Sequence, residues 1–353
     1  MQTLAFVPSA FWAVPSTAQV HGPLVAGIVN ITPDSFSDGG THSGQENLLA
    51  LMQRHLDEGA NMLDLGAEST RPGASPVPQE EEIRRLAPVL DMAKTLVQHS
   101  PGVGLSVDTY KAGTAAWALE NSAHIINDIS GGAFDANMLP LVAEHKPGYV
   151  LGHCPAPPSI MQQAPTYTNV VEEVLAHFTR TMNTLVQRGM PEERIVLDPC
   201  IGFGKTLEHN LAIIRAVPRL LSLGRPLYFG LSRKRMLGEL TGLPVEERGT
   251  ATAVATALLA SKGVLLHRVH HVAPAKHALL LACQFAPFTM PNTGEHGDNG
   301  PGSCHATGGN TVPGAPCKAA SVSLCNQCPP ASYTAAGSFT VSQGQPHMPE
   351  SPC

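Results

Sequence analysis

The sequence predicts an α/β protein, a closed (β/α)8 barrel of parallel strands, on three observations. Short apolar runs alternate with longer amphipathic stretches from Leu24 to about Phe285. Each interval between two apolar runs is long enough to hold the helical crossover that parallel strands require. The alternation repeats eight times in roughly 260 residues, which favours a closed barrel over the alternative, an open doubly wound sheet.

The eight predicted strands are short and apolar throughout, which is typical of parallel strands buried on both faces. They are Leu24–Asn30, Met62–Leu65, Gly104–Val107, His124–Asn127, Tyr149–His153, Ile195–Asp198, Leu227–Ser232 and Leu265–His270. The predicted helices lie near residues 45–59, 79–98, 111–121, 135–145, 168–189, 207–221, 246–262 and 273–284.

Two segments flank the predicted barrel of residues 24–285. Residues 1–23 form an apolar N-terminal leader whose first twenty residues hold no Lys or Arg and are broken by Pro8 and Pro15. It therefore lacks the basic start of an export signal, and we expect a cytoplasmic protein. Residues 286–353 are a low-complexity tail rich in Gly, Pro and Ser, which we expect to be disordered.

Composition excludes several functional classes. The net charge of -6 offers no basic surface for nucleic acid, so no nucleic-acid partner is expected. No apolar run reaches the ~20 residues of a membrane helix, so no membrane partner is expected either. Of eight cysteines, five lie in the tail, and the barrel therefore has no disulfide framework. The tail pair Cys325 and Cys328 is either half of a zinc site or, as we favour, two ordinary thiols.

Polar residues follow every predicted strand, at the end of a barrel where active sites lie. A single Asp at such a place is usually a helix cap, but eight polar strand ends converging on one mouth indicate a small-molecule site. The strand ends, in chain order, are Asn30, Asp64, Asp108-Thr109, Asn127-Asp128, His153, Asp198, Ser232-Arg233-Lys234 and Arg268-Val269-His270.

One set of these residues suits a flat heterocycle. Asp108, Asn127 and Asp198 are acceptors in a narrow mouth, where a buried carboxylate needs a partner. An amidine-like donor edge would satisfy them, and Lys234 would approach the acceptor atoms of the ring. The alternative is a salt-bridge network within the protein among Asp108, Asp198, Lys234 and Arg268.

A second set suits a diphosphate. Arg and Lys side chains bind phosphate oxygens, and Asn30 can supply an oxygen ligand to a Mg²⁺ ion held mainly by phosphates and water. This set comprises Asn30, Thr70, Arg71, Arg268 and His270. The loops at 30–40 and 70–78 are predicted to close over the reactants and exclude water, with Asp34, Phe36 and Asp38 as closure residues.

Seven motifs, in this order between residues 24 and 285, together resemble the dihydropteroate synthases, a family of pterin-binding TIM-barrel enzymes. The first two are close to diagnostic, and the others are weak alone. They are Asn30-Ile-Thr-Pro-Asp-Ser-Phe-Ser-Asp-Gly-Gly40, Gly66-Ala-Glu-Ser-Thr-Arg-Pro-Gly73, Ser106-Val-Asp-Thr109, Ile126-Asn-Asp-Ile129, Asp198-Pro with Gly202-Phe-Gly-Lys205, Gly230-Leu-Ser-Arg-Lys234 and Arg268-Val-His270.

The resemblance implies a transferase of folate biosynthesis that joins 6-hydroxymethyl-7,8-dihydropterin diphosphate to 4-aminobenzoate. Asp108, Lys234, Arg268 and His270 would be its catalytic residues, and Asn30 would bind Mg²⁺. By matching position, Asp108, Asn127, Asp198 and Lys234 would hold the pterin; Thr70, Arg71, Arg268 and His270 the diphosphate; and Thr70, Pro72, Phe203 and Ser232 the aminobenzoate. The family also implies a homodimer through the last barrel helices.

The implied mechanism needs no nucleophile or general base. Diphosphate leaves first, and a neutral arylamine attacks the resonance-stabilised pterin cation, so catalysis is charge stabilisation and positioning. The sequence departs from the family at Cys154-Pro155-Ala156, at Cys200-Ile201 and at His271. The alternatives are a methyltetrahydrofolate–corrinoid methyltransferase, which would have no use for the diphosphate set, and a non-catalytic pterin-binding protein.

Overall fold

The computed structural model describes residues 22–31, 42–70 and 73–285, with the side chains of His42 and Ser43 left out. Several predictions lie outside these residues: the leader up to residue 21, the closure residues Asp34, Phe36 and Asp38, the ligands Arg71 and Pro72, and the tail 286–353.

The described chain forms an eight-stranded parallel sheet in the order β6-β5-β4-β3-β2-β1-β8-β7. Leu197 of β6 and Leu227, which precedes β7, form a parallel bridge that joins the two outer strands and closes the barrel. The predicted closed barrel is confirmed. The strands are β1 Leu24–Asn30, β2 Met62–Gly66, β3 Gly104–Asp108, β4 Ile125–Asp128, β5 Gly148–Gly152, β6 Ile195–Asp198, β7 Tyr228–Phe229 and β8 Leu266–Val269.

Ten α-helices pack on the outside of the sheet in the described part of the chain. They are α1 His42–Asp57, α2 Gln79–Gln98, α3 Ala112–Glu120, α4 Met138–His145, α5 Val170–Gln187, α6 Leu207–Arg215, α7 Val217–Leu221, α8 Arg235–Thr241, α9 Gly249–Ser261 and α10 Val272–Phe285. Short 3-10 turns precede β6 and α9 at Glu192–Arg194 and Val245–Glu247. None of the described helices is long and apolar enough to cross a membrane.

Two predicted elements were wrong in detail. The helix predicted at 207–221 is two helices, because Pro218 lacks the N–H that would bond the carbonyl four residues earlier. The strand predicted at Leu227–Ser232 keeps only Tyr228–Phe229, since a backbone bond from Lys234 to Leu231 turns the chain into α8. That short helix, Arg235–Thr241, was not predicted.

Successive residues of a strand face opposite sides, so every second side chain points into the barrel. These inward side chains form two layers, one apolar and one polar. The apolar layer consists of Leu24, Ala26, Met62, Ile125, Val150, Val196, Tyr228 and Leu266, and Leu265, which precedes β8, packs against it. Two residues further along four of these strands stand Asp64, Asn127, Asp198 and Arg268; together with Ser106 and Asp108 they form the polar layer. The polar layer therefore lies at the carboxyl ends of the strands, as predicted for the site.

Gly152 lets two loops of this end approach closely. A Cβ at this position would lie 2.5 Å from the carbonyl oxygen of Asp128 and from the Cα of Ile129. Any side chain would therefore push the β4 loop away from β5. This glycine keeps Asn127 and Asp128 beside the end of β5.

Candidate active site

Arg268 lies between two buried carboxylates at the centre of the polar layer. Its Nε donates to Asp64 Oδ2 at 2.5 Å, and its Nη2 donates to Asp108 Oδ2 at 2.8 Å. One guanidinium therefore offsets two carboxylates contributed by β2 and β3. This is the arrangement that buried charges need, since an unpaired charge in the interior costs several kcal/mol.

Asp64 is the acceptor that joins the polar layer together. Besides Arg268, its carboxylate accepts a hydrogen bond from Ser106 Oγ at 2.6 Å and one from Asn127 Nδ2 at 3.1 Å. The residue is fully buried. Sequence reasoning noted Asp64 as a strand end but gave it no role. The sequence could have indicated this role. Asp64 lies two residues after Met62 on β2, so both side chains point into the barrel, where Asp64 is paired with Ser106 of β3.

Asp108 is a carboxyl group whose charge is finely balanced. Burial raises its pKa to about 7, and the negative charges of Asp64 and Glu82 act in the same direction. The Arg268 guanidinium opposes the rise but shares its charge with Asp64. Asp108 therefore takes up a proton more readily than an ordinary carboxyl group, and it can accept a hydrogen bond from a ligand or, once protonated, donate one.

Lys234 and Asp198 lie at the same end of the barrel as Arg268. Asp198 is the last residue of β6, and Lys234 lies in the turn after β7. The Lys234 ammonium donates to the Ile201 carbonyl and lies 4.2 Å from the centre of the Phe203 ring, a cation–π contact. Burial lowers its pKa to about 8. Burial also raises the pKa of Asp198, which Lys234 partly offsets, and Asp198 accepts the backbone N–H of Cys200 at 2.7 Å.

The salt-bridge network considered from the sequence forms only in part. Arg268 pairs with Asp108, but its second partner is Asp64. Among the described residues Asp198 makes no ion pair within 4.0 Å, and Lys234 makes none either. These two groups therefore keep hydrogen-bonding capacity for a ligand.

The ends of β7 and β8 bring Ser232 and His270 together. The backbone N–H of His270 donates to Ser232 Oγ at 3.2 Å, and the His270 Nδ1 lies 2.9 Å from the same oxygen. This places one predicted aminobenzoate residue beside one predicted diphosphate residue. Asn30 is exposed at the end of β1, and Thr70 is the last described residue before the gap at 71–72.

Lys205 holds the loop after β6. Its fully buried ammonium donates to three carbonyls, those of His153 at 2.9 Å, Phe203 at 3.0 Å and Cys200 at 3.3 Å. The loop with Gly202 and Gly204 offered a weak phosphate signal in the sequence. In the structure Lys205 instead ties the Phe203 loop to the end of β5.

The departures at Cys154 and Cys200 are accommodated within this loop region. Cys154 Sγ contacts the carbonyl of Ala156 at 3.1 Å, and Cys200 has a φ of 49° and contacts the carbonyl of Ile129. Burial raises the pKa of both thiols. They are therefore neutral, buried side chains in the loops that follow β5 and β6.

Comparison with known proteins decides the family. A model of pterin binding enzymes matches residues 26–270. The dihydropteroate synthase of Bacillus subtilis (strain 168) is 39% identical over 249 residues, which are 70% of this chain and 84% of that protein. This chain belongs to the dihydropteroate synthase family.

Solved structures of dihydropteroate synthases share the fold. The enzyme of Xanthomonas albilineans with 4-aminobenzoic acid has a TM-score of 0.69 and 40% sequence identity, over 76% of this chain and 95% of that one. The same enzyme in complex with 7,8-dihydropteroate has a TM-score of 0.66 and 37% identity, over 76% and 96%. The family predicted from the seven motifs is thereby confirmed.

Proposed function

We propose that this protein condenses 6-hydroxymethyl-7,8-dihydropterin diphosphate with 4-aminobenzoate, giving 7,8-dihydropteroate and diphosphate. The observation that carries the proposal is the polar layer, which gathers buried acceptors at the barrel end where active sites lie. The relatives solved with 4-aminobenzoic acid and 7,8-dihydropteroate support the choice of substrates. They favour the synthase over a corrinoid methyltransferase.

The pterin would lie on Asp198, Asn127 and Asp108. Asn127 donates its amide N–H to Asp64, so its Oδ1 would be the atom that accepts a hydrogen bond from the pterin. Asp198 keeps carboxylate oxygen capacity, and Lys234 offers N–H donors opposite it. A pterin ring carries N–H donors next to a ring acceptor. The donors would bond to Asp198 and Asn127 and the acceptor to Lys234, so that each of these buried polar groups gains a partner.

The diphosphate would lie on Arg268 and His270, with Thr70 and Arg71 from the β2 loop. The Nη1 of Arg268 makes no hydrogen bond to any described residue, whereas Nε and Nη2 are already used. That nitrogen is the one available to a phosphate oxygen. A charged donor aimed at the leaving group stabilises the charge that develops as the C–O bond breaks.

Mg²⁺ would bind at the same end of the barrel. In the part of the chain that the structure describes, no group of three His, Cys, Asp or Glu side chains is placed to hold a metal. Asn30, exposed at the end of β1, offers one amide oxygen. One protein ligand suits an ion held mainly by phosphates and water. When bound, the ion would neutralise the leaving diphosphate.

The aminobenzoate would lie against Phe203 and Ser232, with Thr70 and Pro72 closing its other side. The C–O bond to diphosphate breaks first, and the amine nitrogen then bonds to the pterin methylene carbon and releases a proton. The ionised Asp108 carboxylate would stabilise the cation between the two events. Positioning replaces a general base, because the neutral arylamine is itself the nucleophile.

A coupled assay of diphosphate release by the purified full chain tests this proposal. Release should depend on 4-aminobenzoate and fall when Mg²⁺ is chelated. Absence of aminobenzoate-dependent release would contradict the synthase. Tight binding of the pterin diphosphate without turnover would instead favour a non-catalytic pterin-binding protein.

The oligomeric state and location are part of the proposal. Helices α9 and α10 pack together and expose Val254, Leu258, Leu280 and Leu281, each more than half exposed. Such a patch suits a second copy of this chain, giving a homodimer. Sedimentation should show a dimer, and Leu258→Glu should convert it to monomer; a monomeric wild type would refute it. The location proposed is the cytoplasm, which cell fractionation tests.

A further inference from the structure

A buried charge cluster lies beside the polar layer and takes no part in the proposed pocket. The Lys111 ammonium contacts Glu68 and donates to Glu82 Oε2 at 2.9 Å. The three side chains are 17%, 5% and 1% exposed in that order. Two carboxylates thus share one ammonium inside the protein, so each depends on Lys111 for its charge balance.

Further contacts make this cluster a fixed base for the β2 loop. Tyr110 donates its hydroxyl to Glu68 Oε1 at 2.5 Å, and Arg85 donates to the Ala67 carbonyl at 3.2 Å. Gly66 packs against Asp108, since a Cβ at this glycine would lie 3.5 Å from the Asp108 Cβ, an ordinary van der Waals contact. Residues 66–68 are therefore held from three sides, and Thr70 follows only two residues later.

Lys111 also belongs to the segment that carries Asp108. The chain runs from Asp108 at the end of β3 through Tyr110 and Lys111 into α3, and Glu82 comes from α2. A single ammonium therefore joins the loop of the predicted diphosphate and aminobenzoate residues to the loop of the predicted pterin residue. A salt bridge that served only stability would not need to lie between the segment of Thr70 and the segment of Asp108.

We propose that Lys111 is a positioning residue for the aminobenzoate subsite, acting through Glu68 on Thr70. This inference rests on the proposed function. Without the ammonium, Glu68 loses its ion-pair partner. The segment that follows β2 is then no longer held at Glu68, and Thr70, two residues later, loses its fixed position. Misplacement of a substrate-contacting group by about 1 Å is enough to cost up to 100-fold in kcat/KM, and because Thr70 would contact the bound aminobenzoate, we expect the loss to lie mainly in KM.

Steady-state kinetics of Lys111→Met, measured beside ligand binding, tests the proposal. The KM for 4-aminobenzoate should rise on the order of 10- to 100-fold. The affinity for 6-hydroxymethylpterin, a probe that carries no diphosphate, should change by a smaller factor than this KM, because the Lys111 ammonium contacts Glu68 and Glu82, and Glu82 acts on Asp108 only through its charge. Lys111→Arg should restore most of the wild-type KM, since it keeps the charge.

Lys276→Met is the matched control. Lys276 is also a half-buried lysine, and it donates to Asn61 Oδ1 at 3.1 Å at the opposite end of the barrel. Its loss should leave the KM for 4-aminobenzoate unchanged. An unchanged KM in Lys111→Met, or an equal loss of pterin affinity, would overturn the proposal. Absence of turnover in the wild type would instead contradict the proposed function.

Tyr110→Phe keeps the test decisive if Lys111→Met does not fold. The substitution removes only the hydroxyl that donates to Glu68, and the ring keeps its edge contact with Phe134 at 5.5 Å. The KM for 4-aminobenzoate should rise about threefold, less than in Lys111→Met, because Glu68 loses one hydrogen bond but keeps its ammonium partner. A KM equal to that of the wild type would overturn the role of Glu68.

Discussion

The two layers of the barrel interior are built on the same strands and differ by a shift of two residues. Met62 of the apolar layer precedes Asp64 of the polar layer, and Ile125 precedes Asn127. The apolar layer is fully buried, and in the polar layer only Asp108 and Arg268 are partly exposed. The strand therefore supplies rigid positions, and the side chain two residues further on decides whether a position stabilises the fold or serves the site.

The polar layer is maintained at a cost that the apolar layer does not have. Asp64, Asp108 and Asp198 are removed from water, and burial raises the pKa of the last two. Apolar residues of similar volume would be equally or more stable. The layer is best explained by binding and charge stabilisation, and substitutions in the two layers should separate stability from turnover.

Arg268→Ala should have the largest effect. It removes the guanidinium shared by Asp64 and Asp108 and the nitrogen available to diphosphate. We expect kcat/KM to fall at least about 1000-fold and the free energy of unfolding to fall by about 3–5 kcal/mol. Diphosphate release and urea denaturation measure the two effects. Arg268→Lys, which keeps charge without the planar fork, should recover stability more than turnover; unchanged kinetics in Arg268→Ala would refute its placement.

Met62 and Asp64 provide a matched pair on β2. Met62→Ala opens a cavity in the apolar layer and should lower the free energy of unfolding by about 2–5 kcal/mol, with kcat/KM changed less than about threefold. Asp64→Asn keeps the volume but weakens the hold on Arg268 and Asn127. It should lower kcat/KM on the order of 10- to 100-fold at a smaller cost in stability. An equal fall in kcat/KM in Met62→Ala and Asp64→Asn would contradict the idea that the apolar layer serves stability and the polar layer serves turnover.

The pH dependence of turnover should follow Asp108. Its pKa is raised to about 7, so protonation below that pH removes an acceptor of the pterin, and kcat/KM should fall as pH falls. Asp64→Asn removes a negative charge that raises this pKa, so the acid limb should move to lower pH. The folded state binds a proton that the unfolded chain releases between about pH 4 and pH 7, so Asp108 makes stability fall as pH rises across that interval. If the acid limb of kcat/KM lay at the same pH in the wild type and in Asp64→Asn, its assignment to Asp108 would be contradicted.

The sequence predicted the barrel well because each parallel strand is apolar on both faces and each crossover is helical. β1 and β6 begin and end as predicted. It failed at β7, where only Tyr228–Phe229 form a strand. An apolar run does not reveal where the chain turns out of the sheet, and the bond from Lys234 to Leu231 that makes the turn depends on backbone conformation.

Predicting the site was harder because pairing partners are not encoded in local sequence. Polar strand ends located the mouth, but the choice of partner for Arg268 depends on which strands face it across the barrel. Asp64 and Arg268 are separated by 204 positions. Glu82 was hidden for another reason, since it lies in the first turn of α2, where acidic residues are common for the helix dipole alone.

The smallest expected effect comes from Ser106→Ala compared with Ile125→Val, two substitutions that remove little mass. Ser106 donates to Asp64 at 2.6 Å, and its loss should lower the free energy of unfolding by about 1 kcal/mol. Ile125→Val in the apolar layer should lower it by about 0.5–1.5 kcal/mol. Only Ser106→Ala should lower kcat/KM, by about two- to fivefold, because Asp64 then holds Arg268 less firmly. Denaturation and kinetics on the same preparations measure both, and an equal kinetic effect at matched stability would show that turnover follows stability alone.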